Sequence, residues 1–311
     1  MTRRAVAGLS RLLPLLLIAA AVLIVAGAAL VAACGGSSNG ATSEPTATVT
    51  VTASSSGEVE PTASPSPSPA KAPAQTTLRL YFLRGEKLGV AERRVAHTSA
   101  PATAAMKALL AGPTAAEQAA GLGTTMPAGT RLLKLGIADG TATVDLSREF
   151  GSGGGTLSMT SRVAEVVYTL TGFPTVRFVR FLMEGEPVDA LGGEGVVLAE
   201  PQRRRDWRDF EPNIFVETPG VGAVLSSPFL LSGTALVFEG SFQARLVDSS
   251  GRRIVNVIMQ ASAGGPERGT FSKEVPFSTS AKRGTLIVFD QSMEDGSRQD
   301  EVRIPVTFAA D

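Results

Sequence analysis

Residues 132–150 read LLKLGIADGTATVDLSREF, and the fold of the first half of the chain turns on this stretch. Leu133, Leu135 and Ile137 alternate with their neighbours, and so do Ala142, Val144 and Leu146. That is the period of half-buried strands. Asp139-Gly140 falls between the two runs and accepts the positive φ angles of a two-residue turn, so the stretch is predicted to be a β-hairpin. Downstream, Ser158 or Thr160 is placed to open a helix whose Val163, Val166, Val167 and Leu170 fall at i, i+3, i+4 and i+7. Gly172-Phe173-Pro174 closes it, and residues 176–183 form the next strand. Upstream, Leu78, Leu80 and Phe82 alternate as a strand. Ser99 is the expected cap of a helix with Pro101 in its first turn and Met106, Leu109 and Leu110 on one face, ended by Gly112-Pro113. Thr114-Ala115-Ala116-Glu117 has the capping-box spacing and opens a second, short helix that ends near Gly121. This order predicts an α+β fold over residues 77–206, an N-terminal two-layer α/β sandwich with helices covering one sheet face.

Residues 207–311 follow a different pattern. After Asn213 no helical period remains, and short alternating runs recur at 214–216, 235–238, 242–246, 254–259, 286–289 and 302–308. Asp248-Ser249-Ser250-Gly251 and Asp295-Gly296 lie between them as turns. Such spacing predicts an all-β immunoglobulin-like sandwich, here without a disulfide because the chain has one cysteine. Arg203-Arg204-Arg205-Asp206-Trp207-Arg208-Asp209 interrupts the apolar pattern at the join. It reads as a solvated linker whose arginines pair with neighbouring acids.

The first 76 residues are of another kind. Arg3, Arg4 and Arg11 precede an uncharged apolar run over 12–34, and Val31-Ala32-Ala33-Cys34 resembles the bacterial lipobox. Residues 1–33 are thus expected to be a lipoprotein signal peptide, cleaved between Ala33 and Cys34 with Cys34 lipidated. Residues 34–76 form the expected disordered tether. From 35 onward they contain no Leu, Ile, Phe, Tyr or Trp, too little apolar surface to offset the entropy of ordering. As a flexible coil such a tether reaches about 35 Å. Loss of the leader leaves 26 basic against 29 acidic groups, so anchoring falls to the acyl chains rather than to a basic patch.

Of 311 residues, Lys plus Arg equals Asp plus Glu at 29 each, which argues against counterion-release binding of nucleic acid. One His and one Cys exclude most zinc sites and leave a Ser-His-Asp layout only His97 to use. His97, at the end of a strand with no partner in sight, reads as a surface histidine. Gly151-Ser152-Gly153-Gly154-Gly155-Thr156 sits where a phosphate loop would, but it lacks the Lys-Ser/Thr ending and reads as a flexible loop. Asp145 and Glu149 are the candidate carboxylate pair for a hydrolase. Glu294, Asp295 and Asp300 lack the spacing of a calcium loop. No catalytic residue, metal ligand or cofactor is assigned.

Four motifs in order carry a resemblance: Ala108-Leu109-Leu110-Ala111-Gly112-Pro113, Met126-Pro127-Ala128-Gly129-Thr130, Val144-Asp145-Leu146-Ser147-Arg148-Glu149-Phe150 and Thr169-Leu170-Thr171-Gly172-Phe173-Pro174. Together they resemble the GerMN (sporulation and spore germination) domain. Ser227-Pro228, Leu231-Ser232-Gly233-Thr234-Ala235, Phe238-Glu239-Gly240 and Asp295-Gly296 resemble the immunoglobulin-like domain often found beside it in bacterial spore germination proteins. The resemblance implies an exported envelope lipoprotein that binds partners in assembly, with no catalytic residues to carry over. Asp145 and Ser147 also have a reading of their own, as groups that satisfy loose backbone donors where a strand exits. The expectation is a non-enzymatic interaction or assembly module, held on the extracytoplasmic face of the cell membrane by lipid on Cys34. Its expected partners are envelope proteins or a second copy of the chain. The alternatives are a peptidoglycan or wall-glycan binding module and a carboxylate hydrolase.

Overall fold

The computed structural model describes residues 74–192 and 195–310. The expected signal peptide, the expected cleavage and lipidation site at Ala33/Cys34 and the part of the expected tether before residue 74 lie outside the described residues. Where the sequence predicts the first strand, β1 (Gln75–Arg84) and β2 (Lys87–Ala96) form an antiparallel ribbon through the tight turn at Gly85. Helices α1 (Pro101–Leu110) and α2 (Ala115–Ala119) follow. Ser99 does not cap α1: Ala100 occupies that position without a side-chain bond, and Pro101, whose missing N–H needs no partner, starts the helix instead. The Thr114/Glu117 capping box forms as expected. Glu117 has a second task, pairing at 2.5 Å with Arg93 of β2, which also bonds the Ala108 and Gly112 carbonyls at the end of α1.

Strands β3 (Leu132–Ala138) and β4 (Thr141–Leu146) make the expected hairpin, with Asp139 and Gly140 both at positive φ. The inward residues of β4, Ala142, Val144 and Leu146, are fully buried. On β3, by contrast, Leu133 and Ile137 stand exposed, because β3 is the edge strand. Helix α3 (Thr156–Thr171) then crosses over to β5 (Phe178–Met183), parallel to β4, and β6 (Glu186–Pro187) completes a four-stranded sheet in the order β3-β4-β5-β6. The short pair β7 (Ala190–Leu191) and β8 (Val196–Val197) follows. Helix α3 begins at Thr156, earlier than the expected Ser158 or Thr160, after an uncapped Gly155.

Two features depart from one sheet covered on one face. The β1–β2 ribbon stays apart from the four-stranded sheet. The free edge of β1 is occupied by other groups: Leu83 exchanges both backbone bonds with Gly123, and the Tyr81 amide donates to the Thr169 hydroxyl of α3. In addition, residues 161–170 of α3 are buried all the way round, touching β1, β5, α1 and the 3-10 turn at Arg204–Phe210. A helix that contributes one stripe to a core keeps a solvated face; this one is central.

The second half is mostly β. Strands β9 (Ile214–Thr218), β10 (Val224–Leu225), β11 (Phe229–Ala235), β12 (Ser241–Asp248), β13 (Arg253–Gln260), β14 (Gly269–Val275), β15 (Arg283–Gln291) and β16 (Arg298–Phe308) form two sheets, β10-β16-β15-β12-β13 and β14-β11-β9. The core between them holds Leu231, Phe242, Leu246, Phe271, Leu286, Val288 and Ile304. The run at 235–238 is not a strand. The strand precedes it, and a 3-10 turn occupies Phe238–Gly240. Gly233 explains the glycine of the motif at 231–235. It sits at a bulge against β9, and a Cβ there would lie 2.0 Å from the Phe215 carbonyl oxygen. The described residues fall in one compact unit, and β2 extends across the join: Glu92 and Val90 exchange backbone bonds with Val221 at 2.8 Å.

Candidate functional site

Each candidate from the sequence now has a place. Asp145 accepts from the Gly185 amide at 3.0 Å, and the Ser147 hydroxyl accepts from the Arg131 amide at 2.9 Å, so both close backbone donors at the exit of β4. Glu149 lies in the next 3-10 turn, and the Ser147 hydroxyl holds its carboxyl below the usual range. A general acid of a glycosidase needs the opposite shift. The glycine-rich loop at 151–156 wraps a guanidinium. Arg162, almost wholly buried, donates to the carbonyls of Phe150, Ser152 and Gly153 at 2.7–3.0 Å. A loop that aims carbonyls inward cannot cradle phosphate, which needs N–H donors. His97 is exposed just after β2. Asp295 caps Ser297 and Asp300 accepts from Asn213, and among the described residues no acidic or His/Cys cluster could hold a metal.

The arginine run is not a solvated linker throughout. Arg203 stacks over Phe178, while Arg205, beside Asp206, and Arg208 stay in solvent. Arg204 turns inward between the rings of Tyr81 and Tyr168 and pairs with Glu217 of β9, because the Glu217 carboxylate also takes the Tyr81 hydroxyl at 2.6 Å. Burial opposes the charge on Arg204, yet the adjacent Tyr81 and Glu217 raise its pKa; burial lifts Tyr81 to about 12. Beside this group, Glu211 accepts from the Tyr168 hydroxyl at 2.6 Å and pairs with Arg268 at 3.1 Å. Polar groups from both halves thus satisfy one another in a buried junction. Their role is structural.

Sequence reading missed the surface that remains. The 3-10 turn after β11 places Glu239 at φ +54, a conformation that costs a non-glycine residue of order 1 kcal/mol. The surroundings impose it. Gln260 donates to the Glu239 carbonyl at 2.9 Å, Gly265 and Gly240 both donate to Val237, and Gly264 packs flush on Glu239. The result holds Phe238 out in water, 67% exposed. Ile258 of β13, also 67% exposed, and Met293 of the β15–β16 turn, 88% exposed, line the same cleft of about 540 Å³. Glu239, Asp290 and Glu294 are its charged lining residues, with no cation among them. Lys273 reaches the Ile258 carbonyl, and Arg245 and Arg298 lie over the neighbouring Phe289. The cleft thus sets three apolar side chains in water inside an acidic rim. Alternation could not reveal it, since an outward Ile on a strand and two turn residues carry no period.

Residues 79–189 match the family model described as sporulation and spore germination, and residues 213–297 match the immunoglobulin-like domain of bacterial spore germination. No curated protein matches the chain. Among solved structures, the chain is similar to the tandem GerMN domains of the sporulation protein GerM from Bacillus subtilis, at 18% identity and a TM-score of 0.39, with 65% of this chain and 62% of that one covered. The chain thus spans less than two thirds of that structure. The first GerMN domain of the same protein is similar at 24% identity and a TM-score of 0.36, over 42% of this chain and 99% of that one. By the two family models, the chain joins a sporulation and spore germination domain of the GerMN type at 79–189 to an immunoglobulin-like domain of bacterial spore germination at 213–297.

Proposed function

We propose that this protein is a non-enzymatic interaction or assembly module of the cell envelope, exported and held on the extracytoplasmic face of the membrane by lipid on Cys34. Its N-terminal half, a β ribbon and a four-stranded sheet packed about α3, fixes the orientation of the second domain. Its work is linked to sporulation or germination, as both of its domain families suggest. The observation that carries the reading is the cleft of Phe238, Ile258 and Met293, kept open to water by a strained turn. Three acids line it, so the complementary partner is an envelope protein presenting apolar side chains flanked by Lys or Arg.

The wall-glycan alternative is less supported. Sugar recognition favours several exposed Trp or Tyr faces, and Trp207, Tyr81 and Tyr168 are all buried, which leaves Phe238 as the single ring of the cleft that stands in water. A photo-crosslinking residue at Phe238 or Met293, installed in cells, tests the reading directly. The expected result is a discrete protein adduct that is lost in high salt or when Glu239, Asp290 and Glu294 are neutralised. Absence of any adduct, with co-sedimentation on purified wall instead, would overturn it. Palmitate labelling that depends on Cys34 tests the anchoring separately.

A further inference from the structure

A second hollow, of about 190 Å³, opens between the β1–β2 ribbon and the start of the immunoglobulin-like domain. Its floor is apolar and buried: Leu88, Val90, Ile214, Val216 and Ile304 are each at most 5% exposed. Four charged side chains reach its lining, and three of them are engaged in bonds of 3.2 Å or less. Lys87 donates to the Asp209 carbonyl at 2.6 Å, Asp300 accepts from the Asn213 amide at 3.1 and 3.2 Å, and Glu301 pairs with Arg298 and Arg303.

Arg84 is the exception. Its Nε is buried without a partner, and its one bond is a 3.4 Å contact from Nη2 to the Ala120 carbonyl. No carboxylate of the described residues lies within 4.0 Å of it. Its neighbours hold it there. The side chain lies along Gly89, where a Cβ would come within 3.4 Å of it. A guanidinium held beside an apolar hollow and short of acceptors is costly unless an anion completes it. Desolvation also works against its charge.

We infer that this hollow is a binding site for a small amphiphilic monocarboxylate, whose carboxylate pairs with Arg84 and whose aliphatic body lies on Ile214 and Val216. The volume admits a body of a few carbons and no more. The site is separate from the acid-lined cleft, so it stands or falls independently of the partner reading.

The probe is 4-methylpentanoate against its neutral amide, titrated into the full chain in mild detergent with methyl-labelled Leu, Val and Ile. The expected result is saturable shifts at Leu88, Val90, Ile214, Val216 and Ile304, with the amide about tenfold weaker, the loss that follows when a charge-assisted pair is removed. Arg84→Gln should weaken the acid by a similar factor and leave the amide unchanged. If acid and amide bind alike, or if no shifts appear at tens of millimolar probe, the inference is wrong. The acid-against-amide comparison in the unaltered chain decides the matter even should Arg84→Gln fail to fold.

Discussion

The domain junction and the acid-lined cleft invert each other. At the junction, Tyr81, Tyr168 and Glu211 are buried, Arg204, Glu217 and Arg268 are largely withdrawn from water, and these polar groups are matched to one another. In the cleft, Phe238, Ile258 and Met293 are apolar groups left in water. Burying charge costs several kcal/mol per ion unless each one is met. Exposing apolar surface forgoes about 25 cal/mol for each Å² that could have been covered. The first arrangement fixes a geometry, and the second, on the proposed function, keeps a contact in reserve. A variant that damages the junction should therefore be read in stability, and one that damages the cleft in binding.

The largest effect expected is from Glu211→Ala. It removes the carboxylate that Arg268 and the Tyr168 hydroxyl share, leaving the Arg268 charge with neutral acceptors at Pro212 and Thr234 and Tyr168 with the Arg204 carbonyl, and should cost roughly 3–5 kcal/mol in chemical denaturation. A loss below about 1 kcal/mol would show that the junction charges are effectively solvated, and the contrast with the cleft would fail. Gly233→Ala tests the same region sterically. Its Cβ would strike the Phe215 carbonyl, so a loss of about 3 kcal/mol is expected, measured as a drop in Tm.

Glu165 sharpens the comparison, being a carboxylate buried with hydroxyl and amide partners but no ion pair. Thr124 donates to it at 2.6 Å and the Thr125 amide at 3.1 Å, and burial pushes its pKa up to about 7. An unfolded glutamate titrates near 4.3. Between those values the folded chain holds a proton that the unfolded chain has released. The contribution of Glu165 is thus fully present below about pH 4, falls as pH rises towards 7 and is flat above, by on the order of 3 kcal/mol. Denaturation midpoints measured across that window should lose this slope in Glu165→Gln. An unchanged slope would mean that the carboxyl reaches water.

The smallest effect on folding belongs to the cleft. Phe238→Ser with Met293→Ser should move stability by less than about 0.5 kcal/mol, since neither side chain is buried. Partner capture, read by crosslinking yield, should fall about tenfold or more. Substantial unfolding would mean that these residues belong to the core.

What the sequence made legible follows from periodicity and from turn chemistry. The 132–146 hairpin, the helix carrying Val163, Val166, Val167 and Leu170, the capping box at Thr114 and the stop at Gly112 are local patterns, and each is present, although α3 begins two to four residues early and is buried on every side. Strand β14 was not legible. Its inward positions include Gly269, a buried residue without a side chain to show hydropathy. Nor was β11 placed correctly, because its alternation runs up to Ala235 and the apolar residues beyond it belong to a turn. The junction was hidden for another reason: Arg204 meets Glu217 and Tyr81 from 13 and 123 positions away, and nothing in an arginine run says which member turns inward. Clefts built from turn residues leave no trace in any period.

Tyr81 lies midway along β1, and the arginine that it shares with Glu217 bolts that strand to β9. A pull applied to β1 would therefore load this clasp in shear against β9 rather than open a hinge.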